Sequence, residues 1–91
     1  MSVKVRVFYP ALQHLLGGVG ETEVDGTTVG ECLDDLVRRY PGAEKLLFDS
    51  RGVLLKPVHV FVNAEGMAKA KSTQPVGARD VIIVATLAVG G

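Results

Sequence analysis

Val81-Ile82-Ile83-Val84-Ala85-Thr86-Leu87-Ala88-Val89-Gly90-Gly91 closes the chain as an apolar run that ends in two glycines. Its β-branched start reads as a strand, and that strand leads straight into the terminal carboxylate. Glycine buries no side chain and loses more backbone entropy on ordering than any other residue, so the pair adds no stability. It suits an end that must enter a narrow slot, because the missing side chains leave the carbonyl open from either face. An α-carboxyl with a pKa of about 3.5 is ionised at neutral pH and is a poor acyl donor, so a partner would have to activate it. Two glycines are also what a frayed terminus can look like. Their meaning therefore turns on whether the preceding residues form a domain that holds them out.

The 91 residues make one domain, with a modest core and too little chain to enclose a deep catalytic pocket. Presentation of a group is the expected mode of action. Ten basic and ten acidic residues cancel, so no electrostatic footprint for nucleic acid or an anionic membrane is present. The single cysteine, Cys32, excludes an internal disulfide, a Cys-rich zinc site and a four-thiolate iron–sulfur cluster. Met1-Ser2-Val3-Lys4-Val5-Arg6 alternates like a strand and does not read as a secretion signal, and no apolar run is long enough to span a bilayer, so a cytoplasmic protein is expected.

From Val3 the alternation is strict, with Val3, Val5, Val7 and Tyr9 on one face and Lys4, Arg6 and Phe8 on the other. Pro10 ends that strand, and Ala11 to Leu16 follows as a turn-like or briefly helical connection. The cluster Gly17-Gly18-Val19-Gly20 leads into a second strand, Glu21-Thr22-Glu23-Val24-Asp25, and not into a helix, which argues against a phosphate-binding loop. The two strands read as a hairpin.

Thr28-Val29-Gly30-Glu31 has the form of a capping box and predicts a helix from Val29 to Tyr40. Val29, Leu33, Leu36, Val37 and Tyr40 form one stripe to pack on a sheet, while Glu31, Asp34, Asp35, Arg38 and Arg39 are expected in solvent, with Asp34–Arg38 and Asp35–Arg39 as i, i+4 pairs. Cys32 falls at the border of the stripe, with no His or Lys nearby in sequence to activate it. After Pro41-Gly42, Ala43 to Phe48 adds a further helical turn, and Asp49-Ser50-Arg51-Gly52 is a surface turn.

Val58-His59-Val60-Phe61-Val62-Asn63 returns to strand character, with its valines toward the core and His59, Phe61 and Asn63 opposite. Asn63-Ala64-Glu65-Gly66 is a turn, and Met67 to Lys71 is expected as a short edge strand guarded by Lys69 and Lys71. His14 and His59 stand far apart without an acidic cluster, so no metal site is assigned. No Ser/His/Asp grouping occurs at a recognisable elbow, and the only candidate acyl centre is the terminal one. If Ile82 and Val84 are core, alternation puts Ile83 and Ala85 with Phe61 on the outer sheet face, and carries Leu87 and Val89 along the same side of the tail. These five residues are the candidate partner-binding surface. The alternative is that Phe61 or Ile83 packs under a loop.

Hairpin, helix and returning strands, with the last strand beside the first, make an α+β roll: a mixed sheet of four or five strands with one main helix packed across it. Joined to Gly90-Gly91, this resembles the β-grasp, ubiquitin-like fold, and more specifically the MoaD/ThiS family of sulfur carriers. The resemblance runs through Val5-Arg6-Val7-Phe8-Tyr9 and Leu15-Leu16-Gly17, Thr28 to Leu33, Val60-Phe61-Val62-Asn63, and Asp80 to Gly91. It implies a single domain over 1–91 with 87–91 as a flexible tail.

The resemblance also implies a chemistry. An E1-like adenylating enzyme and sulfurtransferase partner, using ATP, would adenylate Gly91 and convert it to a thiocarboxylate, with Gly90 as the spacer. The chain would be a carrier and co-substrate, not an enzyme, with no cofactor bound to itself. It would donate sulfur to a synthase, either a molybdopterin synthase large subunit-like partner, whose small subunit it would be, or a cysteine synthase-like one. Gly77 and Asp80 are separated by Ala78-Arg79 where many members have an adjacent Gly-Asp pair, and Thr86-Leu87 stands where proline is common. The chain also exceeds the thiamine carriers through Asp49 to Pro57. These features leave the pathway open. Two further readings are a ubiquitin-like modifier conjugated through Gly91 to lysines and a non-catalytic interaction module. Leu87-Ala88-Val89, which lacks the arginines of ubiquitin's tail, favours the carrier.

Overall fold

The computed structural model of the chain, which describes residues 2–63 and 69–86, is organised on the alternation of its first strand. β1 (Ser2–Phe8) turns Val3, Val5 and Val7 into the core and Ser2, Lys4, Arg6 and Phe8 outwards. β2 (Glu21–Asp25) pairs with it antiparallel and sets Glu21 opposite Arg6 and Glu23 opposite Lys4. β3 (Val58–Val62) is antiparallel to β4 (Val81–Thr86), and β4 lies parallel to β1, giving the order β2-β1-β4-β3. The parallel pair at the centre requires a long crossover, which the helices supply.

Pro10 does more than end β1. It occupies the first turn of α1 (Pro10–Leu15), where a missing N–H leaves nothing unsatisfied, so the connector is a real short helix. Gly17 and Gly18 follow with φ of 82° and 88°, left-handed values that return the chain toward β2 while the Gly18 N–H donates to the Gln13 carbonyl at 2.8 Å. These glycines close a helix, and no phosphate cradle forms.

α2 (Val29–Arg39) crosses the sheet and ends one residue before the expected Tyr40, which caps it. Thr28 Oγ1 accepts the Glu31 N–H at 3.1 Å, as a helix cap should. The Glu31 carboxylate reaches back one residue beyond the expected position, accepting from the N–H of Thr27 at 2.8 Å and its hydroxyl at 2.7 Å. Those bonds hold its pKa below the usual carboxylate value.

The buried arc of α2 is wider than its apolar stripe. Val29, Leu33 and Leu36 are buried as expected, but so are Cys32 and Asp35, the latter only 3 % exposed. Asp35 is therefore not a solvated surface acid. The helix lies against β2, and Asp35 Oδ2 accepts the backbone N–H of Asp25 at 2.8 Å and the Arg39 Nε–H at 2.7 Å, while Arg38 bonds Oδ1. Arg38 pairs with Asp35 and not with Asp34. Cys32 sits under Gly26, where a Cβ would lie 2.8 Å from the Cys32 nitrogen and 2.9 Å from its sulfur. Burial, then the Glu31, Asp35 and Asp25 carboxylates, pushes the Cys32 thiol pKa up, so it is an inert core residue.

α3 (Ala43–Leu47) follows and is tied to the first strand's end by Tyr9, whose hydroxyl donates to the Leu46 carbonyl at 3.0 Å. Phe48 bridges Leu54, and Leu55 N–H donates to the Leu47 carbonyl, so residues 48–55 fold back on this helix. Of the expected edge strand from Met67 to Lys71, only Lys69 to Lys71 lies within the described residues. Lys69 bridges Phe61, and the Ala70 N–H donates to the Val60 carbonyl. The expected turn at Asn63 to Gly66 falls mostly outside the described residues; Asn63 itself has a φ of 59°.

Candidate functional site

The end of β4 is where a functional tail would begin. β4 sits between β1 and β3 and is described to Thr86, with Ile82 and Val84 fully buried between the sheet and the helices. The strand that precedes the tail thus has, like β1, a hydrogen-bonded neighbour on each side. Its start is fixed as well. Asp80 accepts Asn63 Nδ2–H at 3.1 Å and the Gly77 N–H at 2.8 Å, and Asn63 Oδ1 accepts the Val81 N–H at 3.0 Å. These bonds hold the Asp80 carboxyl below its ordinary pKa, the Asn63 amide contributing most. The Gly77–Asp80 separation in sequence therefore closes into a direct contact in space.

Register decides what surrounds the strand on the outer face. Phe8, Ala85 and His59 form one row across β1, β4 and β3; Arg6, Ile83 and Phe61 form the next. Ile83 and Ala85 are partly exposed there, on the side opposite Ile82 and Val84. Phe61 shares that face but is only 8 % exposed. It lies between Ile83 and the Lys69 segment and stacks on His59 with ring centroids 6.3 Å apart and planes 8° from parallel. Neighbours on both sides remove Phe61 from solvent, which is the packing alternative for this position.

Phe8 is what sequence reasoning missed. It is 56 % exposed and directly beside Ala85, and the signal was an aromatic at an outward position of a strand that otherwise carries Lys4 and Arg6 there. Arg6 approaches Glu21 at 3.4 Å and Lys4 approaches it at 3.8 Å, leaving an apolar centre with a charged border. His59 Nδ1 is buried without a hydrogen-bond partner among the described residues. Gly90, Gly91, Leu87 and Val89 lie outside the described residues. Among those described, no group of three or more His, Cys, Asp or Glu could hold a metal ion, and no helix is long and apolar enough to cross a membrane.

No protein-family model matches the chain, and no curated protein matches it. Solved structures do. SAMP1 from Haloferax volcanii superposes with a TM-score of 0.83 at 28 % identity, covering 100 % of both chains. A chain of the Amycolatopsis orientalis BexX/CysO complex gives 0.74 at 28 % identity over 96 % of this chain and 99 % of that one. Mycobacterium tuberculosis CysO gives 0.68 at 27 % identity over 92 % and 99 %. With a four-stranded mixed sheet crossed by its main helix and these neighbours over nearly their full lengths, the chain has the ubiquitin-like β-grasp fold and is similar to the small carrier and modifier proteins SAMP1 and CysO.

Proposed function

We propose that this chain is a sulfur carrier whose Gly91 carboxylate is adenylated by an E1-like enzyme and then converted to a thiocarboxylate. A carboxylate oxygen attacks the α-phosphorus of ATP and pyrophosphate leaves, giving an acyl-adenylate. Hydrosulfide, or a sulfur donor equivalent to it, then adds to the carbonyl and AMP departs, leaving the thiocarboxylate and a proton. ATP belongs to the partner and the chain binds no cofactor. Its own contribution is placement, with Gly90 and Gly91 passing into the partner's site. Because ATP is consumed in activation, the work is assigned to the cytoplasm.

The observation that carries this reading is the position of β4, held between β1 and β3 through Thr86, five residues before Gly91. A rigid central strand reduces the conformational freedom lost when the tail enters a partner. Ile83, Ala85 and Phe8 would give the activating enzyme an apolar surface beside the emerging tail. The BexX/CysO neighbour, a complex of two proteins, supports a partnered carrier. The sulfur would pass to a synthase, molybdopterin synthase large subunit-like or cysteine synthase-like.

The test is the intact mass of the chain after incubation with ATP, sulfide and an E1-like enzyme from the same organism. Replacement of one oxygen by sulfur, lost on deletion of Gly91, is the expected result; an unchanged mass with an active enzyme overturns it. A second reading draws on another observation, the neighbour described as small archaeal modifier protein 1. In that reading the same acyl-adenylate is passed to a lysine amine, and lysine-linked adducts would replace the thiocarboxylate.

A further inference from the structure

A second surface lies on the side of the sheet opposite Ile83 and Ala85. α2, the segment 48–54 and residues 70–72 enclose a cleft of about 610 Å³. Its floor is apolar, made by Leu33, Val60, Leu54 and Ala70. Val53 stands at its mouth, 52 % exposed. A second hollow of about 340 Å³ continues it past Phe48 and Gly52 and adds Glu44 and Asp49 to the border.

The charged residues that line the two hollows are Glu31, Asp34, Glu44 and Asp49, with Arg51 paired to the last. Asp34 lines both hollows, is exposed, and forms no hydrogen bond or ion pair with its side chain among the described residues; the same holds for the Glu44 carboxylate. Glu31 is occupied by Thr27, and Asp49 by Arg51 and the Val53 N–H. The bonds at Asp49 matter for the wall: its carboxylate accepts the Arg51 N–H at 2.8 Å and the Val53 N–H at 3.1 Å, and its own N–H donates to the Val53 carbonyl at 2.8 Å. Val53 is thereby presented by a preformed turn, so docking against it orders little new chain.

We propose that this cleft docks an extended segment of a partner protein in which arginine or lysine alternates with aliphatic side chains. The aliphatic groups take the floor against Leu33 and Leu54, and the cation answers Asp34, whose side chain forms no ion pair among the described residues. An acidic segment is opposed by Asp34 and Glu44, and nucleic acid by the same charges. The surface lies on the far side of the sheet from Phe8 and Ala85. It does not depend on the tail's chemistry, and the two readings fail separately.

The experiment is an amide NMR titration of the full chain with the peptides acetyl-Leu-Arg-Leu-Arg-Leu-amide and acetyl-Leu-Glu-Leu-Glu-Leu-amide. The arginine peptide is expected to shift the amides of Asp34, Val53, Leu54 and Ala70 saturably, and the glutamate peptide is not. Asp34→Lys and Val53→Lys, both at exposed positions, should each weaken binding by about tenfold or more, while Phe8→Asp leaves it unchanged. Absence of saturable shifts, shifts centred on Ile83 and Ala85, equal binding of the glutamate peptide, or unchanged affinity in Asp34→Lys overturns the proposal. So does concentration-dependent shifting of the cleft amides without peptide, which would assign the cleft to a second copy of the chain.

Discussion

Asp35 Oδ2 accepts the backbone N–H of Asp25 at 2.8 Å, so a side chain in the middle of α2 satisfies the last residue of the edge strand β2. Arg38 and Arg39 complete the carboxylate, and Arg39 also reaches Asp25 Oδ2 at 2.9 Å. The Asp25 N–H, then Arg38 and Arg39, hold the Asp35 carboxyl well below the usual carboxylate range.

This has a pH signature. Because the folded-state pKa is lower than the unfolded value of about 3.9, the contribution is fully present above that value and is lost as pH falls through the folded one. Urea midpoints of the wild type should fall below about pH 4, and Asp35→Asn should lower the midpoint near neutral pH and flatten the acid fall. Identical pH curves for the two proteins would exclude the linkage.

Gly26 is predicted to reject any larger residue. Gly26→Ala should destabilise by about 1–3 kcal/mol, since the added methyl meets both backbone and side-chain atoms of Cys32. Cys32→Ala should not restore the loss, because the Cys32 backbone nitrogen at 2.8 Å remains. Thermal melts of the single and double variants check this.

The two faces of β4 should respond differently. Ile82→Ala, at a fully buried position, is expected to cost about 3 kcal/mol in urea denaturation. Phe8→Asp and Ile83→Asp should leave stability within about 1 kcal/mol yet lower the rate of thiocarboxylate formation by about tenfold or more.

Phe61 should behave as a packing residue despite facing outward. Phe61→Ala is expected to lower stability by about 3 kcal/mol, while Phe61→Leu, at similar volume, keeps most of it and leaves activation by the E1-like enzyme unchanged. Loss of activation in a stable Phe61→Leu protein would return Phe61 to the contact surface.

Much of this molecule was legible in its residues because the signals are local. Strict alternation in Val3 to Phe8 specifies the core face of β1, and Thr28 to Glu31 specifies where α2 starts, since a period and a cap depend only on nearby residues. Alternation likewise specified that Ile83 and Ala85 oppose Ile82 and Val84. The resemblance carried by Gly90 and Gly91 supplied the chemistry proposed for the tail. What tertiary structure alone decided depends on partners distant in sequence. Asp35 is buried because β2 brings the Asp25 N–H to it, and Phe61 is covered because the Lys69 segment and His59 close around it. Phe8 becomes a surface beside Ala85 only through the parallel pairing of β1 with β4, a register that no periodicity in either strand encodes.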